Sequence, residues 1–133
     1  MHKFEQNIAV DDEISPRIVT VTTEIDGVAL DMAKFNGVCF AIQNKLSADG
    51  GALTCNVAEG TNSTQFSDTF LATVTLAAST DADQFDTVEI KAPEMTAGYR
   101  YVRLEVNPAA GTTTQLAAIA MRWSARFKTG AAL

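Results

Sequence analysis

The side chains that most often carry chemistry are scarce in this sequence. The one histidine of the chain is His2, next to the first residue. General base catalysis needs an imidazole held in a fixed geometry, which residues at chain ends seldom have. Without a second histidine, neither a Ser–His nor a Cys–His pair can form elsewhere in the chain. We therefore expect no catalytic residues and no enzyme.

The two cysteines, Cys39 and Cys55, are predicted to be free thiols. Both lie in segments with strand-like alternation, and a hairpin joining these segments would place Phe40 opposite Val57. In that register Cys39 and Cys55 point to opposite faces of the hairpin, whereas a disulfide needs facing Cβ atoms. Two cysteines are also too few for a zinc site. The pattern indicates packed thiols and no metal.

Two acidic clusters could offer oxygen ligands to a cation. The run 11–13 is expected to be a solvated segment. Asp81, Asp83 and Asp86 alternate in a polar loop, which is a spacing that Ca²⁺ can use, but the loop lacks the glycine and the distal glutamate of an EF-hand. We favour a solvated acidic turn, so the sequence predicts no metal and no cofactor.

Three aromatic residues could line a sugar-binding face: Tyr99, Tyr101 and Trp123. They could equally be structural, because Tyr and Trp often pack the ring and leave the polar tip in solvent. We favour the structural interpretation. No glycine-rich strand-to-helix motif of the kind that binds phosphate is present.

The dominant pattern of the chain is the period-two alternation of β-strands. Apolar residues share one face in three segments, as Val38, Phe40 and Ile42, then Leu53, Cys55 and Val57, then Val102, Leu104 and Val106. Phe70, Val74 and Leu76 are also expected to point inward, and Ala117, Ile119, Met121 and Trp123 to share one face. Polar turns separate about eight such strands. This predicts an all-β fold, a two-sheet antiparallel β-sandwich that is jelly-roll-like.

Length and charge limit the organisation and the partners. A chain of 133 residues fits one domain. Residues 1–15 are polar and weakly patterned, so we predict an N-terminal arm there and a single sandwich domain over 16–133. The net charge of -6 and the scattered basic residues argue against nucleic acid and against anionic membranes. No apolar run reaches the ~20 residues of a transmembrane helix, and the start lacks the apolar core of a secretory signal.

Two stretches resemble a known class of virion proteins. The stretch 52–68, ALTCNVAEGTNSTQFSD, resembles a strand, polar loop and "tFsD" segment found in small structural proteins of tailed phages. The stretch 98–106, GYRYVRLEV, with a glycine-containing loop and AAIAM at 117–121, resembles their final hairpin. The chain thus resembles the jelly-roll cement, or head decoration, proteins of tailed bacteriophages. RYVRLEV is also similar to discoidin-like, galactose-binding sandwiches, but 122–127 lacks their Glu-Leu-Gly ending.

The resemblance to cement proteins implies a non-catalytic virion structural protein. Such a protein is made in the host cytoplasm, binds the outside of the capsid and bridges major capsid subunits to stabilise the head. Its partners would be the major capsid protein and further copies of itself, as a homodimer or homotrimer. Position and exposed apolarity suggest these interface residues: Phe4, Ile8, Val10, Arg126 and Phe127. The alternative is a glycan-binding discoidin-like module, or a tail or adhesion component, with Tyr99 or Trp123 open to solvent.

Overall fold

The fold is built from β-strands, as the alternation predicts. The computed structural model describes residues 8–19, 23–46, 52–77, 83–109 and 114–123. Within these ranges the strands are β1 (Ile8–Val19), β2 (Ile25–Asp26), β3 (Leu30–Asp31), β4 (Gly37–Leu46), β5 (Leu53–Gly60), β6 (Phe66–Leu76), β7 (Gln84–Lys91), β8 (Tyr101–Pro108) and β9 (Thr114–Trp123). A 3-10 turn spans Ala92–Glu94. Among the described residues, no helix has the length and apolarity needed to cross a membrane.

The strands form two antiparallel sheets. Sheet A has the order β1-β9-β4-β7, and sheet B has the order β2-β8-β5-β6, with β3 also paired to β8. Because β2 and β3 are two-residue strands on the same neighbour, they act as one interrupted strand. With that count the sheets contain eight strands in the connectivity of a two-sheet jelly roll. The predicted antiparallel β-sandwich is confirmed.

The core lies between the two sheets and is made from the alternate residues of each strand. The fully buried side chains that the sequence assigned to one face of a strand are Val38, Phe40, Ile42, Leu53, Cys55, Val57, Val102, Leu104 and Val106. Each Val, Leu, Ile or Phe side chain fully removed from water contributes about 1.5–3 kcal/mol before the entropy cost of ordering it. These three face assignments are confirmed.

The predicted hairpin between the two cysteine-bearing strands is wrong. Strand β4 pairs with β7 and β9, so Phe40 lies between Val88 and Ala120 and not opposite Val57. Strand β5 belongs to sheet B and pairs with β6 and β8. Each strand buries one apolar face against the opposite sheet. The alternation that results is the same whether two consecutive strands pair in a hairpin or cross between sheets, so it does not predict which strands pair. Both thiols are nevertheless free.

The inward face predicted for β6 is partly wrong. Leu76 is buried and Val74 packs against the core, but Phe70 is 37% exposed. The pairing of β6 with β5 shifts register between Val57 and Ala58, and Phe70 follows that shift. An extra residue in one strand of a pair reverses which face the later residues occupy. Phe70 therefore lies on the outer side.

Much of the predicted N-terminal arm belongs to the sandwich. Strand β1 begins at Ile8 and pairs with β9 through Val19, so 8–15 are part of sheet A and no boundary falls at residue 15. The register shifts between Asp12 and Ile14, which leaves Glu13 as the extra residue of a bulge. The bulge turns Glu13 toward the interior, where it is 2% exposed. Residues 1–7 lie outside the described ranges.

Glu13 connects the two sheets through its side chain and its backbone. Its side-chain Oε1 accepts a hydrogen bond from the Leu104 N–H at 2.8 Å, and its backbone carbonyl accepts one from the Val28 N–H at 3.2 Å. Within the described ranges, Oε2 has no hydrogen-bond partner. Desolvation by burial raises the pKa of Glu13 to about 8, against the lowering effect of the Leu104 hydrogen bond. At neutral pH this carboxyl group is therefore mostly uncharged.

Candidate interaction surface

The outer face of sheet B is mainly polar, as expected of a sheet that faces water on one side, and carries Phe66, Phe70 and Tyr101 toward one end. Its outward residues in strands β5, β6 and β8 include Thr54, Asn56, Thr73, Thr75, Arg103, Glu105 and Asn107. Thr73 Oγ1 donates a hydrogen bond to Asn56 Oδ1 at 2.8 Å. The Arg103 guanidinium lies 4.3 Å from the centroid of the Phe66 ring and pairs with Glu105 at 2.6 Å. These two pairs join polar side chains of the same face.

The outer face of sheet A is apolar. Because Leu116, Ala118 and Ala120 of β9 are buried, the alternate residues of β9 point outward. The register across β1, β9, β4 and β7 places the outward residues in three rows: Ile8–Trp123–Gly37–Lys91, Val10–Met121–Cys39–Glu89 and Asp12–Ile119–Ala41–Thr87. We call these twelve residues the sheet A face. Its charged residues, Asp12, Glu89 and Lys91, all lie on the two marginal strands.

Large apolar side chains are exposed on and beside this face. Val10 is 58% exposed and Ile119 is 42% exposed. Ile18 and Phe85, each 66% exposed, continue the same outer side of sheet A on β1 and β7. Of the six exposed large apolar residues within the described ranges, four therefore lie on this one side. Contiguous apolar patches of this kind mark interaction sites on soluble proteins.

Trp123 lies flat on the sheet A face because Gly37 has no side chain. A Cβ at position 37 would collide with Cζ2 of the indole and would lie 2.5 and 2.6 Å from the adjacent Cη2 and Cε2. These neighbours are barely farther away than Cζ2 itself, so the ring turns its face toward Gly37. An open pocket of about 640 Å³ adjoins the ring and is also lined by Asn36, Glu89 and Lys91.

Arg122 fixes the strands that carry the face. Its Nε donates a hydrogen bond to Asp11 Oδ2 at 2.9 Å, which ties β9 to β1. Its Nη1 donates to the Asp31 carbonyl at 2.8 Å, and its guanidinium lies 4.4 Å from the centroid of the Phe35 ring. A planar guanidinium can make these contacts at once because its donors form a rigid fork. The edge of sheet A is thereby held against the segment after β3.

One group of carboxylates lies away from the sheet A face. Oxygens of Glu24, Asp26 and Glu105 lie within 4.8 Å of one another. The Arg103 guanidinium already pairs with two of them, at 3.2 Å from Asp26 and 2.6 Å from Glu105. Burial raises the pKa of Glu105, with a smaller contribution from the neighbouring acids. We interpret the group as a charge network on the outer side of sheet B.

The structure places some of the residues predicted for an interface. Ile8 and Val10 lie in adjacent rows of the sheet A face, beside Trp123 and Met121. Phe4, Arg126 and Phe127 lie outside the described ranges. Ala117, Ile119, Met121 and Trp123 do share one face, and it is the outer one.

Other predicted candidates are not brought together. Tyr99 is half-buried near the 3-10 turn, and Tyr101 points to the outer side of sheet B, far in sequence and on the opposite sheet from Trp123. Asp81 lies outside the described ranges. Asp83 is exposed, and Asp86 lies within β7, where its Oδ1 accepts a hydrogen bond from the Thr87 N–H. The sequence did not predict Cys39 and Ala41 as residues of an interaction face, because the outward direction of these small residues depends on which strands flank β4.

Comparisons with known proteins show structures of similar fold but no related sequence family. No protein-family description matches the chain, and no curated protein matches it in sequence. A subunit of Bacillus endospore appendages, described as disulfide-linked pili, is 17% identical with a TM-score of 0.52 and covers 89% of this chain and 88% of its own. A chain from the structure of the infectious bursal disease virus Gt strain is 14% identical with a TM-score of 0.54.

These similarities concern the fold alone. The match to the viral chain covers 88% of this chain but 33% of the viral one, so the common part is a single sandwich domain. The class defined by strand order and by both neighbours is therefore the two-sheet antiparallel β-sandwich. Membership of the phage cement family stays a prediction.

Proposed function

We propose that this protein is a non-catalytic structural subunit of an assembled protein shell. More specifically, it is a cement protein that binds the outside of a phage capsid and bridges major capsid subunits. The observation that carries the proposal is the difference between its two outer faces, since sheet A presents Val10, Ile119 and Met121 where sheet B presents polar side chains. Its fold neighbours, a pilus subunit and a viral chain, support a role in an assembly.

A cement protein works through binding energy. Burial of apolar surface contributes about 25 cal/mol per Å², from which association subtracts the cost of lost motion and ordering. The sheet A face has uncharged central strands and charged marginal ones, which suits the burial of apolar surface, because charges are depleted at interface centres and kept at rims. The acidic chain, at -6, also suits a protein that stays outside a DNA-filled shell.

Shell binding tests the proposal. Purified protein should co-sediment with shells of its own phage that lack it, should saturate at a fixed ratio to the major capsid protein, and should raise the temperature at which shells release DNA. Ile119→Asp should weaken binding about 100-fold, because a carboxylate would have to be desolvated at the contact.

Thr75→Asp supplies the matched control, since it adds the same charge to the exposed outer side of sheet B. It should bind shells like the wild-type protein. Failure of the wild-type protein to associate with shells, and its absence from purified particles by mass spectrometry, would rule out the cement function.

A glycan-binding module is the second candidate, favoured by the pocket beside Trp123 with its polar residues Asn36, Glu89 and Lys91. We expect Trp123→Ala to lower the free energy of unfolding by about 2 kcal/mol, because the ring packs on Gly37. Denaturant unfolding measures this loss. A glycan array that shows sugar binding by the wild-type protein, lost in a stable Trp123→Ala variant, would instead support the glycan function.

A further inference from the structure

We propose that the sheet A face binds a second copy of this chain, about a two-fold axis parallel to the strands and between β9 and β4. The inference rests on the proposed function and specifies it: the sheet A face joins two copies of the cement protein, so Ile119→Asp weakens shell binding by dissociating the pair that bridges capsid subunits. It follows from the shape of that face. Large side chains of β9 form a ridge, and small side chains of β4 in the same rows form a trough beside it.

The ridge and the trough are neighbouring strands. Strand β9 presents Ile119 and Met121, two large side chains, in consecutive rows. Strand β4 presents Ala41 and Cys39 in the same two rows. Each row of the face therefore has a large residue on β9 beside a small one on β4.

A two-fold axis along the strands converts this arrangement into self-complementarity. Such a rotation keeps each row in place and exchanges the columns on the two sides of the axis. Ile119 of one copy then lies over Ala41 of the second copy, and Met121 lies over Cys39. In an isologous interface every such contact occurs twice, so one match of ridge to trough supplies two.

The marginal strands fit the same axis. Strand β1 of one copy then faces β7 of the second copy, which places Asp12 over Thr87, Val10 over Glu89 and Ile8 over Lys91. Glu89 lies on the marginal strand β7, where its carboxylate can turn toward solvent at the rim. Asp12 meets a hydroxyl group, and Ile8 meets the apolar stem of a lysine whose ammonium group can reach solvent. Because Asp12 and Glu89 lie in different rows, neither carboxylate faces another carboxylate across the interface.

The flat orientation of Trp123 keeps the face even. The indole covers Gly37, so the row that contains it has neither an upright aromatic side chain nor an empty trough. Two such rows can approach each other to the ordinary distance between packed sheets, about 10 Å. An indole standing upright would hold the two sheets apart.

The area of the face is sufficient for a specific dimer. The three rows of the sheet A face and the adjoining outward row of Ala117, Gln43 and Phe85 make four rows. Four strands at about 4.8 Å spacing and these four rows at about 6.8 Å give roughly 500 Å² per copy, and about 1,000 Å² in total, which is the threshold of a specific interface. Because two copies of charge -6 repel each other, added salt should strengthen the dimer.

Light scattering across a dilution series tests the dimer. The wild-type protein should show twice the mass of one chain at high concentration, and Met121→Asp should weaken dimerisation about 100-fold. Thr75→Asp, on the opposite sheet, should dimerise like the wild-type protein. A wild-type protein that stays monomeric at the highest concentration, or a Met121→Asp variant that dimerises normally, would overturn the inference.

Thiol reactivity tests the geometry of the dimer. Across the proposed axis Met121 of one copy covers Cys39 of the other, and the two Cys39 Cα atoms are about 11 Å apart, given sheets at ~10 Å and strands at ~4.8 Å, which is too far for a disulfide. Oxidation should therefore not trap a dimer, and a maleimide should alkylate Cys39 more slowly in the wild-type dimer than in the Met121→Asp variant. Cys55 is fully buried, so Cys39→Ser should remove the reactive thiol. An alkylation rate that does not change with dimer formation would contradict the proposed axis.

The two proposals can fail separately. A wild-type monomer that still binds shells would retain the cement function and remove the dimer. A dimer with no affinity for shells would retain the proposed dimer and rule out the cement function.

Discussion

The free energy of unfolding should fall as the pH is raised from about 4.5 to about 8, because of Glu13. In the folded protein desolvation raises the pKa of this carboxyl group from 4.5 to about 8. Between these two values the folded chain binds more protons than the unfolded chain, so stability decreases with rising pH. The favourable contribution is complete below about pH 4.5 and is lost as the pH passes through about 8.

The size of the effect follows from the shift of the pKa. A difference of about 3.5 pKa units corresponds to roughly 5 kcal/mol, which is an upper bound because a buried carboxylate can relax or recruit water. Glu13→Gln keeps an acceptor for the Leu104 N–H and cannot ionise. At pH 8.5 this variant should therefore be more stable than the wild-type protein, and near pH 4 the two should be similar.

Denaturant unfolding at a series of pH values measures this difference. Asp68→Asn is the matched control, because Asp68 is an exposed carboxylate on β6 and lies outside the sheet A face. Its pH profile should run parallel to that of the wild-type protein. If Glu13→Gln has the same pH dependence as the wild-type protein, Glu13 is not the titrating group.

Gly27→Ala should destabilise the protein by about 2 kcal/mol through collision with the same side chain. A Cβ at position 27 would overlap the Glu13 carboxylate oxygen and would lie 2.7 Å from Cδ and 2.9 Å from Cγ. The Glu13 side chain cannot move away freely, because Oε1 accepts the Leu104 N–H and the Gly27 N–H itself donates to the Leu104 carbonyl. The measurement is the free energy of unfolding at pH 5, where Glu13 is protonated.

A double-mutant cycle identifies the cause of this loss. In a Glu13→Ala background the Gly27→Ala change should cost little, which gives a favourable coupling of about 1–2 kcal/mol. The same cycle with Glu89→Ala in place of Glu13→Ala should be additive. Additive costs in the Glu13 cycle would show that Gly27 is constrained by another contact.

The sequence predicts strands and their buried faces because alternation reflects burial directly. It does not predict neighbours, since Phe40 alternates in the same way whether β4 pairs with β5 or with β7 and β9. Residues 8–15 of strand β1 were assigned to the arm for a different reason. A bulge interrupts its alternation at Glu13, and three consecutive acidic residues resemble a solvated segment.

The sheet A face was only partly predictable. Strand β9 is apolar on both sides, with Ile119 and Met121 on one and Ala118 and Ala120 on the other. Residue size favours the larger pair for the core, but the smaller pair is buried, because Phe40 and Ile42 of the adjacent strand fill the interior. The outward direction of Ile119 depends on this tertiary packing. Ile8 and Val10, in contrast, were identified from exposed apolarity alone.

The position of β9 in sheet A also determines when the protein can fold. Strand β9 is the last described strand of the chain, yet it lies between β1, the first strand, and β4. During synthesis sheet B can assemble earlier, whereas sheet A stays incomplete until residues 114–123 have left the ribosome. Pairings between strands far apart in sequence form slowly and leave apolar surface open in the meantime. The nascent chain should therefore depend on chaperones until its final strand inserts, and truncation before residue 114 should yield an aggregating product.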